Sequence, residues 1–312
     1  INAPDFGGVD ITVNPFAGFP FNTVQFRKAL CYAVNLTAAI EPWGLGAYYP
    51  NYNPENVPYA LSAYPPDIQK YAPSCTYNTT YAAQLLESIG MYEKGGQWYL
   101  PNGTPLKLVV YAPSPFTDWV TITEGWANQL SLFGIPTKVI TLSGDTFWGT
   151  IYPSAEFQIA DTWNFAMKGY SDATAIAFEG PVGNWPWLTY YNVWVYPFQW
   201  PNGTCTPVTI RLPRIYNSTT PLLNGTIVWC KNSTLGYINL TSYFNVFDVL
   251  SPGMAAYNES LKVFYAWIWY YMPNIPIGYK IETNLGAKNL ILPWMYAPYS
   301  PCAKYVPDWL RL

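Results

Sequence analysis

The sequence predicts an α/β fold, and three observations carry that expectation. Between residues 78 and 163, amphipathic helical stripes alternate with short runs of β character, the order expected of a layered sheet-and-helix lobe. Half of the 312 residues are hydrophobic, enough to bury a large core. Glycines fall at the ends of the helical stripes, where helices stop.

Taken in order, residues 9–14 (VDITVN) alternate like a short strand. Residues 23–34 read as a helix with Val24, Arg27, Leu30 and Val34 near one face, and a Pro-, Tyr- and Asn-rich loop follows over 42–74. Asn78 is a good N-cap for the next helix; Ala82, Leu85, Leu86 and Ile89 form its apolar stripe and Gly90 ends it. Residues 95–111 read as a hairpin turning at Asn102-Gly103, with a strand over 106–111. Thr117 then caps a helix whose Trp119, Ile122, Trp126, Leu130 and Phe133 recur every three to four residues until Gly134. A strand over 138–142, a short helix over 145–152 and a strand over 156–163 follow.

From 181 to 245 the periodicity dissolves into aromatic, proline-rich stretches, read as a β or loop insertion. A helix returns over 254–271, with Tyr257, Leu261, Phe264, Ile268 and Tyr271 on one face, and a strand over 277–282 leads out.

Composition excludes several function classes. Charged residues are 11% against about 25% in an average soluble protein, while aromatics reach 19% with 28 Tyr and 15 Trp. A net charge of −3 supplies no basic field for nucleic acid. The uncharged runs 180–210 and 263–279, the latter between Lys262 and Lys280, are broken by prolines, so neither makes a transmembrane helix of about 20 residues. With no His, the usual general base, the Ser-His-Asp arrangement and imidazole metal ligands are all lacking. There is no GxSxG and no Walker loop, and Gly44-Leu45-Gly46 lacks the spacing of a dinucleotide loop. Asp161 could be imagined as one of two catalytic carboxylates, but a structural role is the favoured expectation, and the chain is read as a non-enzyme needing no cofactor.

Two features place the chain outside the cytoplasm. Asn-x-Ser/Thr acceptors occur at Asn35, Asn78, Asn102, Asn202, Asn217, Asn224, Asn232, Asn239 and Asn258. Random placement of this composition would give about three, so N-linked glycans on several are expected, mostly between Asn202 and Asn239. Of the five cysteines, Cys205 and Cys230 bracket this acceptor-dense segment and are expected to close it by a disulfide. Cys31, within an apolar helical pattern, is expected to be the buried free thiol, with Cys75 and Cys302 as an open possibility for a second pair. The chain opens at Ile1 without a signal peptide and reads as a mature or truncated product with its targeting segment upstream. The scarcity of Lys and Arg, 15 in all, suits an acidic exterior, where neutralised carboxylates would leave many more cations in mutual repulsion.

Several segments in one order carry a resemblance. They are Asn14, then Pro20-Phe21 into Val24-Gln25-Phe26-Arg27-Lys28-Ala29-Leu30-Cys31-Tyr32-Ala33-Val34-Asn35; Tyr77-Asn78 through Ala82, Leu85, Leu86 and Gly90; Asn102-Gly103-Thr104-Pro105-Leu106; Trp126, Leu130 and Gly134-Ile135; and Asp145-Thr146-Phe147 followed by Phe157 to Trp163. This series resembles the C-terminal portion of family 5, oligopeptide/dipeptide-type, solute-binding proteins of ABC transporters. It covers 9–165 well and 254–285 loosely, and the stretch over 181–245 departs from it.

The resemblance implies a type II periplasmic-binding-protein-like lobe: an inter-lobe strand over 1–20, an α/β ligand-binding lobe over 21–180, a glycosylated insertion over 181–250, and the end of the lobe with the return to the other over 251–312. It further implies an N-terminal portion of the same protein outside this chain, and an ABC-type permease as partner. Closure of two lobes on a solute would be the mechanism. Trp163, at the place of the family's crevice tryptophan, and Asn164 would contact the solute. Asn184, Trp185 and Trp187 add aromatic faces and amides suited to an oligosaccharide. Peptide-binding relatives carry an Asp three residues after that tryptophan; here the position is Ala166, which favours a neutral sugar over a peptide. The alternative is a structural glycoprotein of a surface layer or extracellular filament, with aromatic patches making lateral contacts.

Overall fold

A computed structural model describes residues 2–52, 74–165, 195–198, 204–205, 207–211, 224–234, 236–239, 269–270, 272 and 274–283. The principal sheet has six strands in the order β2-β12-β1-β7-β5-β6. These are β1 (Asn2–Val13), β2 (Tyr48–Pro50), β5 (Leu108–Pro113), β6 (Thr137–Leu142), β7 (Ile159–Phe165) and β12 (Asn274–Thr283). β5 runs parallel to β6 and β7, whereas β1 is antiparallel to both β7 and β12. Between them lie the hairpin strands β3 (Tyr92–Lys94) and β4 (Gln97–Tyr99). A separate four-stranded antiparallel sheet, ordered β8-β11-β10-β9, comprises β8 (Val195–Phe198), β9 (Val208–Arg211), β10 (Asn224–Cys230) and β11 (Gly236–Asn239).

The helices are α1 (Val24–Tyr32), α2 (Leu36–Ile40), α3 (Thr79–Glu87) and α4 (Thr117–Leu132). Thr23 caps α1 by accepting from the Phe26 amide, and Asn78 caps α3 by accepting from Tyr81 at 2.9 Å. The apolar stripes predicted for both helices face the core: Leu30, Val34, Ala82 and Leu86 are fully buried, as are Ile122, Trp126 and Leu130 of α4. Alternation along β1 splits its side chains between the two sheet faces. Val9, Ile11 and Val13 join the hydrophobic core with the helices, while Asp10, Thr12 and Asn14 point the other way, also buried.

Several expectations change. Cys31 is not a free thiol: it is disulfide-bonded to Cys75, with Cα atoms 5.2 Å apart, which also removes the Cys75–Cys302 option. The chain after α2 returns beside α1, where the Asn78 amide donates to the Tyr32 carbonyl, and this return brings the sulfurs together. The predicted Cys205–Cys230 bridge is present. The hairpin turns earlier than expected, at Gly95-Gly96, whose φ values of 62° and 80° suit a turn that glycine alone adopts freely. Asn102-Gly103 makes a second tight turn, with Leu100 N donating to Thr104 O.

Thr117 is the first residue of α4 rather than its cap, and the capping position, Phe116, makes no side-chain cap bond. The helical stretch after β6 is longer than expected, running through Gly144–Thr146, a π-turn over Phe147–Ile151, and Tyr152–Ser154. Asn14 holds its end by donating to the carbonyls of Ala155 and Phe157 at 3.0 and 2.8 Å, which delays β7 to Ile159. Strand β1 extends to Asn2, well beyond the alternating 9–14 stretch, because its first residues pair with β12. The expected helix over 254–271 lies largely outside the described residues.

Candidate functional site

In open α/β sheets the place for a ligand is beyond the carboxyl ends of the parallel strands, where adjoining helices begin. Here that edge is built by the ends of β5 and β7 and the start of α4. Phe116 stacks on Trp119 with ring centroids 4.2 Å apart and planes inclined by 16°. Trp119 in turn stacks on Trp163 of β7 at 5.2 Å and 13°. Trp119 is almost enclosed, whereas Trp163 is half-buried and Phe116 exposed. The stack is therefore a wall with accessible outer rings and a locked centre.

A polar cluster adjoins it. Asp118, in the first turn of α4, sits where the helix dipole favours an anion. Its Oδ2 accepts from the Tyr48 hydroxyl at 2.7 Å. The Lys280 ammonium lies 3.5 Å from the same oxygen and 6.0 Å from the centre of the Trp163 ring. Lys280 is partly exposed and belongs to β12, two positions after Gly278, which pairs with Val9 beside Trp163. A partly exposed pair at this distance contributes little to stability, about 0–1 kcal/mol, so its consequence is electrostatic: each charge neutralises the other beside the tryptophan. Tyr49 and Tyr279 stack at 5.7 Å on the same two strands.

Beneath the wall the sheet is unusually polar. Asp10 accepts from Thr162 at 2.5 Å and from the Asn274 amide at 2.7 Å, and Thr162 bonds Thr12 at 2.9 Å. Burial pushes the Asp10 carboxyl up to about 7, against the lowering by its two hydrogen bonds. Asp161 is also fully buried, and burial pushes it well above the usual carboxylate range.

Of the residues singled out in the sequence, Trp163 stands in the wall and Asn164 follows it on β7, paired with Gly8 of β1. Asn184, Trp185 and Trp187, and Ala166, lie outside the described residues. Tyr48, Asp118 and Lys280 were missed. They come from three elements spread over 232 residues and share no spacing; the first-turn carboxylate of α4 was the one local signal. Of the acceptor asparagines, Asn78, Asn102 and Asn232 are exposed and Asn35 is half-buried as the cap of α2. Asn224 and Asn239 lie on β10 and β11, and Asn202, Asn217 and Asn258 fall outside the described residues. Among the described residues, no group of three or more His, Cys, Asp or Glu is gathered to hold a metal, and no helix is long and apolar enough to cross a membrane.

The family model of the bacterial extracellular solute-binding proteins, family 5 (middle part), matches residues 3–184. The chain belongs to this family. Among curated proteins, none matches the chain by sequence. Solved structures share its fold at low identity. An oligopeptide-binding protein of an ABC transporter from Thermotoga maritima aligns with a TM-score of 0.60 and 16% identity over 89% of this chain and 45% of its own. The oligopeptide-binding protein AppA of Bacillus subtilis, in complex with a nonapeptide, gives 0.58 and 14% over 90% and 46%. The periplasmic binding protein MelB of Agrobacterium fabrum, in complex with stachyose, gives 0.56 and 14% over 89% and 38%. The chain thus spans less than half the length of these family 5-like structures. Their architecture accounts for the mixed α/β lobe expected from the sequence.

Proposed function

We propose that the chain is the ligand-binding lobe of an extracellular solute-binding protein that delivers a neutral oligosaccharide to an ABC-type permease. The observation that carries this reading is Trp163, half-buried at the carboxyl end of β7, with its neighbouring charges, Asp118 and Lys280, neutralising each other. A neutral sugar uses aromatic faces and hydrogen-bonding groups, which Trp163 and the Asp118–Lys280 pair supply, with the buried Tyr48 holding Asp118 in place. A peptide's ammonium would need an uncompensated carboxylate, and none occurs between Trp163 and Gly169. The Thermotoga oligopeptide-binding protein is also known in complex with mannohexaose and the Agrobacterium protein in complex with stachyose, which is compatible with this chemistry.

Calorimetric titration of the full-length protein with malto- and cello-oligosaccharides and with di- to pentapeptides tests the reading. Binding of a sugar is expected, and Trp163→Ala should weaken it roughly 10- to 100-fold through loss of the aromatic surface. Micromolar peptide binding with no response to any sugar would overturn it.

The extracellular setting carries a second expectation: N-linked sugar on at least four of the nine acceptors. Asn78 and Asn102 support it, because each is exposed and uses its carbonyl oxygen, not its amide nitrogen, to hold the local turn. The caps and turns therefore survive a glycan on nitrogen. Intact mass of the natural product should exceed 35.3 kDa by several glycans, and a mass at the bare value would remove the proposal.

A further inference from the structure

Asp10 and Asp161 are both 0% exposed and stand on adjacent strands, β1 and β7, one on each face of the sheet. Asp10 is paired across β1–β7 with Thr162, and Asp161 with Ile11. The groups facing Asp10 are Thr162, Asn274 of β12, and Tyr152 of the helical segment, whose ring hydroxyl lies toward Thr12 and Asp10. The groups facing Asp161 are Thr123 of α4 and, further off, the carboxyls of Asp10 and Asp118. Neither carboxyl oxygen of Asp161 closes a hydrogen bond.

No cation answers either group among the described residues. The buried Arg27 gives its Nη1 to the Phe21 carbonyl at 2.7 Å, and Lys280 is engaged with Asp118. Two ionised carboxylates here would be desolvated, unpaired and mutually repelling, which costs far more than binding two protons. A protonated Asp10, by contrast, fits its surroundings: one oxygen accepts from Asn274, and the other, 2.5 Å from the Thr162 hydroxyl that donates to it when ionised, would donate in its turn once protonated, leaving Thr162 to pass its own proton on to Thr12.

We propose that the native lobe carries both core carboxyls in the protonated, neutral form, which makes its fold acid-favoured and fits a protein working in an acidic exterior. The sign follows from linkage. A carboxyl raised on folding binds its proton in the native state before the unfolded chain does, so its stabilisation is complete below about pH 4 and is lost as pH rises toward the native value. For Asp10, ordinarily 3.8 and here about 7, the folding constant should fall roughly a thousandfold between these two values. Asp161 adds a loss of the same sign.

Urea unfolding of the full chain from pH 4 to pH 8 tests this, with Asp10→Asn and Asp161→Asn as variants that keep the shape and cannot ionise. The wild type should be most stable near pH 4 and weaken toward pH 8. Each variant should lose part of that slope and exceed the wild type at pH 8. Should the variants fail to fold, the infrared carbonyl band of a protonated carboxylic acid in the native wild type at pH 6 decides the matter. Its presence supports the proposal. Wild-type stability that is flat or rises from pH 4 to 8, variants that keep the full slope, or an absent band would overturn it.

Discussion

Replacing Cys31 and Cys75 together by alanine should lower the stability of the chain by about 4 kcal/mol, the chain-entropy value for a bridge across 44 residues. Both sulfurs are buried, Cys31 on α1 and Cys75 just before α3. The bridge therefore ties two core helices across the Pro-rich connection over 42–74. Its ends are held locally as well, since the Cys75 amide donates to Tyr52 O at 2.7 Å. Removing the Cys205–Cys230 bridge, across 25 residues, should cost less, roughly 3 kcal/mol. Urea midpoints of the two double variants under non-reducing conditions check the order. A Cys31/Cys75 variant as stable as the wild type would restore the free-thiol reading.

Gly125→Ala should destabilise the chain by about 3 kcal/mol, although alanine is the better helix former by about 1 kcal/mol. A Cβ at this position of α4 would lie 2.0 Å from the carbonyl oxygen of Ala39 and 2.8 Å from its carbon, both backbone atoms of α2. Ala39 is itself fully buried, so α2 cannot retreat without opening the core around Ile40 and Ile122. Gly149→Ala is the control: nothing lies within 4 Å of its would-be Cβ, and the change should be neutral or slightly stabilising. Thermal unfolding of both variants separates packing from propensity. Stabilisation by both would mean that the two helices do not approach this closely.

How much of this was legible beforehand depended on whether the deciding interaction was local. The stripe Ala82, Leu86 with its Asn78 cap, the stripe Ile122, Trp126, Leu130, and the alternation of Val9, Ile11 and Val13 within β1 are set by periods and caps that a few neighbouring residues specify, and they stand where expected. Cys205 and Cys230 also sit close in sequence, and their pairing was readable from the acceptor-dense segment they bracket. Trp163 was placed through resemblance along an ordered run of such local segments.

Cys31 was misread because its partner arrives only after a 44-residue excursion, so its burial in an apolar pattern said nothing about what would lie beside it. The hairpin was misplaced because Gly95-Gly96 and Asn102-Gly103 are both competent turns, and pairing of Tyr92 with Tyr99 fixes which one joins the strands.

The sequence by itself determined the helices α1, α3 and α4, most strand positions of the principal sheet, the shortage of charge and the family. Tertiary structure alone decided that Tyr48, Asp118 and Lys280 meet beside Trp163, and that Asp10 and Asp161 lose all contact with water. The physical reason is the same in each case. A side chain's period and cap chemistry are fixed by its neighbours along the chain, but its charge state and binding role are set by desolvation and by partners on elements brought alongside from 70 to 264 residues away.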